Sequence, residues 1–423
     1  MRGIRGTGIA AMSAAFLLTA TAADAASYRV FPVPIASPDH GARALVTDPQ
    51  NAEASPFGWH DTNGAAGADF TILRGNNAIV YVDANADNVP DDLGPDGGAA
   101  LLFDYPWSPA DAPTVYRNAL ATNAFYWTNM LHDIFYRYGF DEPAGNMQQN
   151  NYGRGGLSGD PVLVEIFEGS GINNANGSYT VDGTSPRIQL YQWNLTTPRR
   201  DGSFDATTLI YAWGMVVNAR LAGSTCISNA ETTSSGYNDF FAVLLTTDFT
   251  TATPAQRRGI GTYVMGQPTT GTGIRTVPYS TDLAIDPYTY QDTRTLAASQ
   301  GTGTVWASAL WDLTWRMVGT YGAGNDWFNG NGGENRMLRL AIRALQRQGC
   351  QSGFVDARNA WLTADNELYG GENSCRLWNA FARRGLGVSA VQGSATSNAD
   401  NTAAYDVPAL CNDTIFSNGF QTP

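Results

Sequence analysis

Three histidines, His40, His60 and His132, are the whole imidazole complement of the 423-residue chain. No two stand four residues apart, so none forms the helical pair that grips a single zinc ion. No G-x-S-x-G turn presents a serine nucleophile, and no glycine-rich phosphate loop follows a strand. The densest run of metal-type ligands is acidic: DANADNVPDDLGPDG, residues 83–97. Asp83, Asn85 and Asp87 alternate there, with Asp91 and Asp92 following, in the oxygen-ligand order of a calcium loop. Asn88 stands where such loops carry glycine, and no glutamate closes the twelfth position. The set reads as a solvated acidic loop, with a structural calcium site as the alternative.

Four cysteines, Cys226, Cys350, Cys375 and Cys411, contain no C-x-x-C pair and so do not read as a zinc site. An even count in an exported chain implies two disulfides. Three connectivities are open, and Cys350 with Cys375, which closes the shortest loop, is favoured. Export is read from residues 1–25, where Arg2 and Arg5 precede an apolar stretch and Ala23-Asp24-Ala25 offers small-residue cleavage, as in a signal peptide. No later segment has the length and apolarity of a membrane span. Net charge is −13 and every basic residue is arginine. That balance argues against nucleic acid and anionic membranes as partners.

The elements that position these residues divide the chain. Residues 77–83, 161–167 and 187–193 read as strands, short apolar runs between turn signals. Residues 114–140 carry apolar side chains at helical spacing. Helical patterns dominate after residue 205: 205–223, with Asp205 as N-cap and Gly223 as stop, then 303–322, 335–349, 353–370 and 375–387. The expectation is an α+β chain with a strand-rich lobe over 26–205, a helical lobe over 206–390 and a Ser/Ala/Asn-rich tail over 391–423.

Several long stretches, in order, resemble the fungalysin family of secreted, thermolysin-like zinc endopeptidases, also called extracellular elastinolytic metalloproteinases. They are NAFYWTNMLHDIFYRYGFDEPAGNMQQNNYGRGG (123–156), GSGINNANGSYTVDG (169–183), YSTDLAIDPYTYQD (279–292), FVDARNAWLTADNELYGG (354–371) and LWNAFARRGLGVSA (377–390). The resemblance runs from about Tyr28 to about residue 411. It begins within a few residues of Ala25, where family precursors carry a long propeptide, so the chain is expected to fold without that segment.

The resemblance implies a two-lobed thermolysin-like fold, and the family carries H-E-x-x-H on its central helix and a third ligand in G-E-G-W-S-D. Here the helix reads DATTLIYAWGMVVNARLAG. Aligned on Arg220, Leu221 and Gly223, Tyr211 and Met215 take the two histidine positions and Ala212 that of the catalytic glutamate. In SSGYNDFF, Ser235 takes the third ligand position. In QGTGTVWA, Gln300 takes the place of an auxiliary histidine. Tyrosine, methionine and serine make a poor zinc set. Glu231 matches a position that binds no metal. Asp239 matches an aspartate that orients a ligand histidine, with the Tyr211 hydroxyl as its expected donor here. Asn123, Ala124 and Phe125 match the segment that lines the substrate cleft, or else belong to the core, and His132 reads as structural. The resemblance thus implies a secreted, inactive homologue that binds peptide or protein segments, with zinc expected of the family but not of this chain. The alternatives are an active zinc endopeptidase with a non-standard site and a structural extracellular protein.

Overall fold

Helix α1, Arg117–Arg137, lies at the centre of the N-terminal lobe: Ala119 through Phe135 are buried, and the polar side chains of Asn123, Asn129, His132 and Asp133 among them are hydrogen-bonded. The computed structural model describes residues 25–223, 226 and 229–412. The signal-peptide reading and the last eleven residues of the tail therefore lie outside the described residues, apart from Ala25.

Around α1 the chain forms short strands. Strands β1 (Ser27–Val30), β2 (Ala44–Thr47) and β4 (Leu102–Phe103) make one sheet in the order β2-β1-β4. Strands β3 (Ala78–Val82), β5 (Val162–Ile166), β6 (Ala175–Gly177) and β7 (Arg187–Leu190) make a second, ordered β3-β5-β7-β6. The first three of that order run parallel, and β6 closes the edge antiparallel to β7. AIVYV and VLVEI are near-continuous apolar runs, as buried parallel strands require, yet Glu165 sits within β5 with no exposed surface. A ribbon of β8 (Gln192–Trp193) and β9 (Arg200–Asp201) leads to the C-terminal lobe.

That lobe is helical, as expected: α2 (Ala206–Ala222), α3 (Ser234–Leu245), α4 (Gln300–Tyr321), α5 (Gly333–Arg347), α6 (Phe354–Tyr369), α7 (Ser374–Arg383) and α8 (Ala409–Asn412). Among the described residues no helix is long and apolar enough to cross a membrane. Helix α2 starts and stops where its sequence indicates. The Asp205 carboxylate accepts the Thr207 N–H at 3.1 Å, and Gly223 ends the helix at φ 89°. Near its end Arg220 crosses back to the strand-rich lobe, donating to Asp160 at 2.9 Å and to the carbonyls of Gly145 and Thr184. The N–H and carbonyl partners fix α2 between the lobes.

Helix α3 is a long element that the sequence did not announce. All twelve of its residues are buried, so no polar face marks a helical period. It packs closely on α2 at Gly214, where a Cβ would come within 2.7 Å of Asn238 Oδ1.

The disulfides are Cys226–Cys350 and Cys375–Cys411, not the favoured Cys350–Cys375. The packing of α2 on α5 brings the residues that follow them together, so Cys226 and Cys350 meet with Cα atoms 4.2 Å apart despite a sequence separation of 124. Loop length was a weak guide because closure entropy grows only logarithmically with it. The second bridge ties the tail at Cys411 to α7.

Candidate functional site: a pocket over helix α2

An open pocket of about 160 Å³ lies between the lobes. Asn173, Asn174 and Ala175 enter it from the start of edge strand β6, and Trp193 from β8. Thr208 and Tyr211 rise from α2, Gln300 opens α4, and Ile274 comes from the loop between α3 and α4. Tyr211 and Gln300, singled out from the sequence, therefore do face one space. Met215, one turn on, is half-buried under the β6 strand: a Cβ at Gly177 would lie 3.0 Å from its own Cβ. Ala212 and Trp213 are fully buried, and the Ala212 carbonyl packs against Gly177 of β6.

Ser235 does not converge with them on a metal. Its hydroxyl donates to the Ser299 carbonyl, and a Cβ at Gly303 would lie only 2.1 Å from Ser235 Oγ. The crossing of α3 and α4 thus leaves room for a small side chain at 235. One phenol, one thioether and one committed hydroxyl do not fit zinc, which binds imidazole, thiolate and carboxylate. Among the described residues, the one group of three or more His, Cys, Asp or Glu side chains that could share an ion is Asp83, Glu165 and Glu168. It contains no histidine and none of the residues over α2.

Behind Tyr211 and Gln300 lies an arginine. Arg275 donates to Asp239 through Nε at 2.6 Å and Nη2 at 2.8 Å, a two-point grip on a carboxylate with no exposed surface. The Tyr279 hydroxyl donates to the same carboxylate. The guanidinium lies 5.3 Å from the Tyr211 ring centroid and reaches Gln300 Oε1 at 3.3 Å. Burial would lower the Arg275 pKa, but the adjacent Asp239 outweighs it and holds the pKa well above its usual value. Asp239 is therefore held by Arg275 and Tyr279 rather than by Tyr211. The expected Tyr211 donor is displaced because a fixed positive charge is the stronger partner for a buried carboxylate. Burial, and then the Asp239 charge, raise the Tyr211 pKa, so the phenol stays protonated.

The structure also moves the cleft segment. Asn123, Ala124 and Phe125 lie inside α1 with 1%, 0% and 0% exposure, facing no cleft. Asn123 accepts the Phe31 N–H at 3.0 Å and donates to the Ser203 carbonyl at 2.7 Å, which braces α1 against the chain on both sides. The segment that borders the pocket is Asn173–Ala175, within the INNANG run. Its signal was a short polar stretch between two strands, the pattern of an edge. Trp193 was also missed, and its indole N–H has no hydrogen-bond partner.

The remaining candidates are structural. His132 pairs with Asp133 at 2.9 Å, whose carboxylate also takes Trp59 Nε1 and Ser55 Oγ. Burial lowers the pKa of His40 and His60 to about 4. Glu231 accepts from the Tyr290 hydroxyl, Asn401 and the Phe354 N–H, so it braces α6 and the tail. The acidic loop is divided. Asn85, Asp87, Asp91 and Asp92 are exposed, and most of their oxygens accept the loop's own N–H groups, as at Ala84, Asp87, Val89 and Gly94. Asp83 is fully buried, and its two oxygens accept the loop N–H groups of Asp87 at 3.1 Å and Asn88 at 3.0 Å.

Comparison with known proteins places this arrangement. The fungalysin metallopeptidase (M36) family matches residues 27–390. An extracellular metalloproteinase of Pyrenophora tritici-repentis is 38% identical over 412 residues, covering 93% of this chain and 61% of that protein. The extracellular metalloproteinase MEP of Fusarium vanettenii is 36% identical over 401 residues, covering 92% and 61%. The chain thus spans about 61% of the length of these relatives. A solved precursor of protealysin, a metalloproteinase from Serratia proteamaculans, aligns at TM-score 0.47 and 12% identity, covering 77% of this chain and 91% of that one.

Proposed function

We propose that this chain, which belongs to the fungalysin metallopeptidase (M36) family, is a secreted homologue that binds extended peptide or protein segments without cutting them. The observation that carries the reading is the pocket between β6 and Tyr211, backed by an arginine–aspartate pair in place of a metal site. Tyr211, Met215 and Ser235 stand at the family's ligand positions, Ala212 at the base and Gln300 at the auxiliary histidine. None supplies a proton acceptor or a Lewis acid of the kind that activates water. Extracellular location follows the names of the relatives and the signal-like first 25 residues.

What remains supports binding. Strand β6 is the edge of its sheet, so its outer N–H and C=O groups can pair with an added strand. The pocket is smaller than the roughly 300–1,000 Å³ of a typical small-molecule site, so it suits one side chain of a longer segment. Trp193, Tyr211 and Ile274 offer it apolar walls, and the Gln300 amide offers a polar contact.

The test is fluorescence polarisation against a library of extended peptides, with casein digestion run beside it. Specific peptides are expected to bind, and Ala175→Trp, which fills the pocket, is expected to weaken them about tenfold or more. Casein is expected to stay intact with zinc or with chelator. Absence of any peptide binding up to millimolar concentration, or cleavage that a chelator abolishes, contradicts the reading.

A further inference from the structure

Strand β5 carries a carboxylate where a buried parallel strand should be apolar. Glu165 lies between its register neighbours Tyr81 on β3 and Gln189 on β7. Both reach it: the Tyr81 hydroxyl donates to Oε1 at 2.6 Å and the Gln189 amide to Oε2 at 2.9 Å. Arg187 adds a contact at 2.9 Å. Asp83 follows β3 two residues after Tyr81, so it projects to the same face. Glu168 follows β5, beyond Phe167, whose φ of 55° breaks the strand's alternation while the Glu168 and Gly169 N–H groups still donate to the Leu190 and Asp83 carbonyls. One carboxylate oxygen from each of Asp83, Glu165 and Glu168 lies within 4.8 Å of the other two, and all three residues are buried.

Three buried carboxylates face one guanidinium there, which is an unfavourable balance without a further cation. The second observation is specific to Glu168. Its side chain is 3% exposed, its Oε1 accepts the Ser170 N–H at 2.8 Å, and its Oε2 has no hydrogen-bond partner. A buried carboxylate oxygen without a donor calls for one from outside the protein. Burial raises the Glu165 pKa, and the neighbouring Glu168 charge adds to the rise.

We infer that Asp83, Glu165 and Glu168 hold a calcium ion that ties the end of β3 to the end of β5. Hard oxygen donors select calcium or magnesium over zinc. Two oxygens bound to one calcium at about 2.3–2.6 Å lie at most about 5 Å apart, which the triad satisfies. Calcium is preferred because it accepts irregular carboxylate sets, whereas magnesium demands near-octahedral geometry. The site shares only Asp83 with the alternating loop ligands.

The test uses the full chain stripped with EGTA and titrated with calcium chloride, read by calorimetry and by thermal melting. One calcium per chain and a higher melting temperature are expected. Glu168→Gln keeps the shape and removes the unpartnered charge. It should melt above the EGTA-treated parent, because repulsion is relieved, while its calcium affinity falls about tenfold or more. Asp87→Asn in the exposed loop should keep the parent's affinity within about twofold. No melting shift up to millimolar calcium overturns the site. So does a Glu168→Gln protein that melts below the EGTA-treated parent, or one that keeps full affinity. Loss of affinity in Asp87→Asn alone places the ion in the loop and likewise overturns the triad.

Discussion

Replacing Arg275 by alanine is expected to destabilise the protein by about 3–5 kcal/mol, the cost of leaving one member of a buried ion pair alone. The side chains of Arg275 and Asp239 are 3% and 0% exposed, so water cannot solvate the carboxylate that remains. Tyr279 would still donate to it, but a neutral hydroxyl does not balance the charge. Arg275→Lys should recover only part of the loss, because an ammonium cannot span both carboxylate oxygens as the guanidinium does at 2.6 and 2.8 Å. Arg275→Met combined with Asp239→Leu should be more stable than Arg275→Ala, since removing both charges removes the desolvation cost. Urea unfolding of the four proteins measures all of this. An Arg275→Ala protein within about 1 kcal/mol of the parent would mean that the pair is not what closes this site.

The second large effect is a dependence on pH. Burial raises the Glu231 pKa from 4.5 to about 7 in the folded protein. The nearby Asp400 charge adds to the rise, while the donors Asn401, Tyr290 and Phe354 N–H oppose it. A carboxyl group shifted upward favours folding when protonated. Its contribution is therefore full below pH 4.5 and lost as pH climbs through about 7. Glu231→Gln keeps an oxygen for Tyr290 and Asn401 but cannot ionise. Relative to the parent, the variant should gain roughly 2–3 kcal/mol between pH 5 and pH 8, at about 1.4 kcal/mol per pKa unit. Comparing the pair isolates this group from the histidines His40 and His60, which titrate in both proteins alike. Stability curves that run parallel from pH 5 to pH 8 would show that Glu231 does not titrate in this window.

Helix α2 was legible to its last residue because its ends are local chemistry: a carboxylate accepting the first N–H groups and a glycine with positive φ. Helices α5 to α7 were legible because each keeps a polar face that preserves its apolar period. Helix α3 has none, and a wholly buried helix carries no period to read. The losses over α2 were also legible, since the residue types at 211, 212, 215 and 235 exclude the chemistry whatever their geometry. What filled the space was not. Arg275 lies 36 positions from Asp239 in the chain, and nothing local indicates that its guanidinium turns inward. Asn123 to Phe125 were read as cleft-lining or core, within a segment expected to be helical, and their burial in α1 decides for the core. The acidic loop drew attention by its spacing, whereas Glu165 and Glu168 meet Asp83 only through parallel pairing of β3 with β5.

Tyr211, Met215 and Ser235 leave no zinc ligand set over α2, beside which Arg275 and Asp239 form a buried pair. Elemental analysis of the full chain, purified without chelator and equilibrated with zinc, should therefore find zinc near zero per chain. A content near one, lost on treatment with a zinc chelator, would contradict this and would require a ligand set that includes side chains other than Tyr211, Met215 and Ser235.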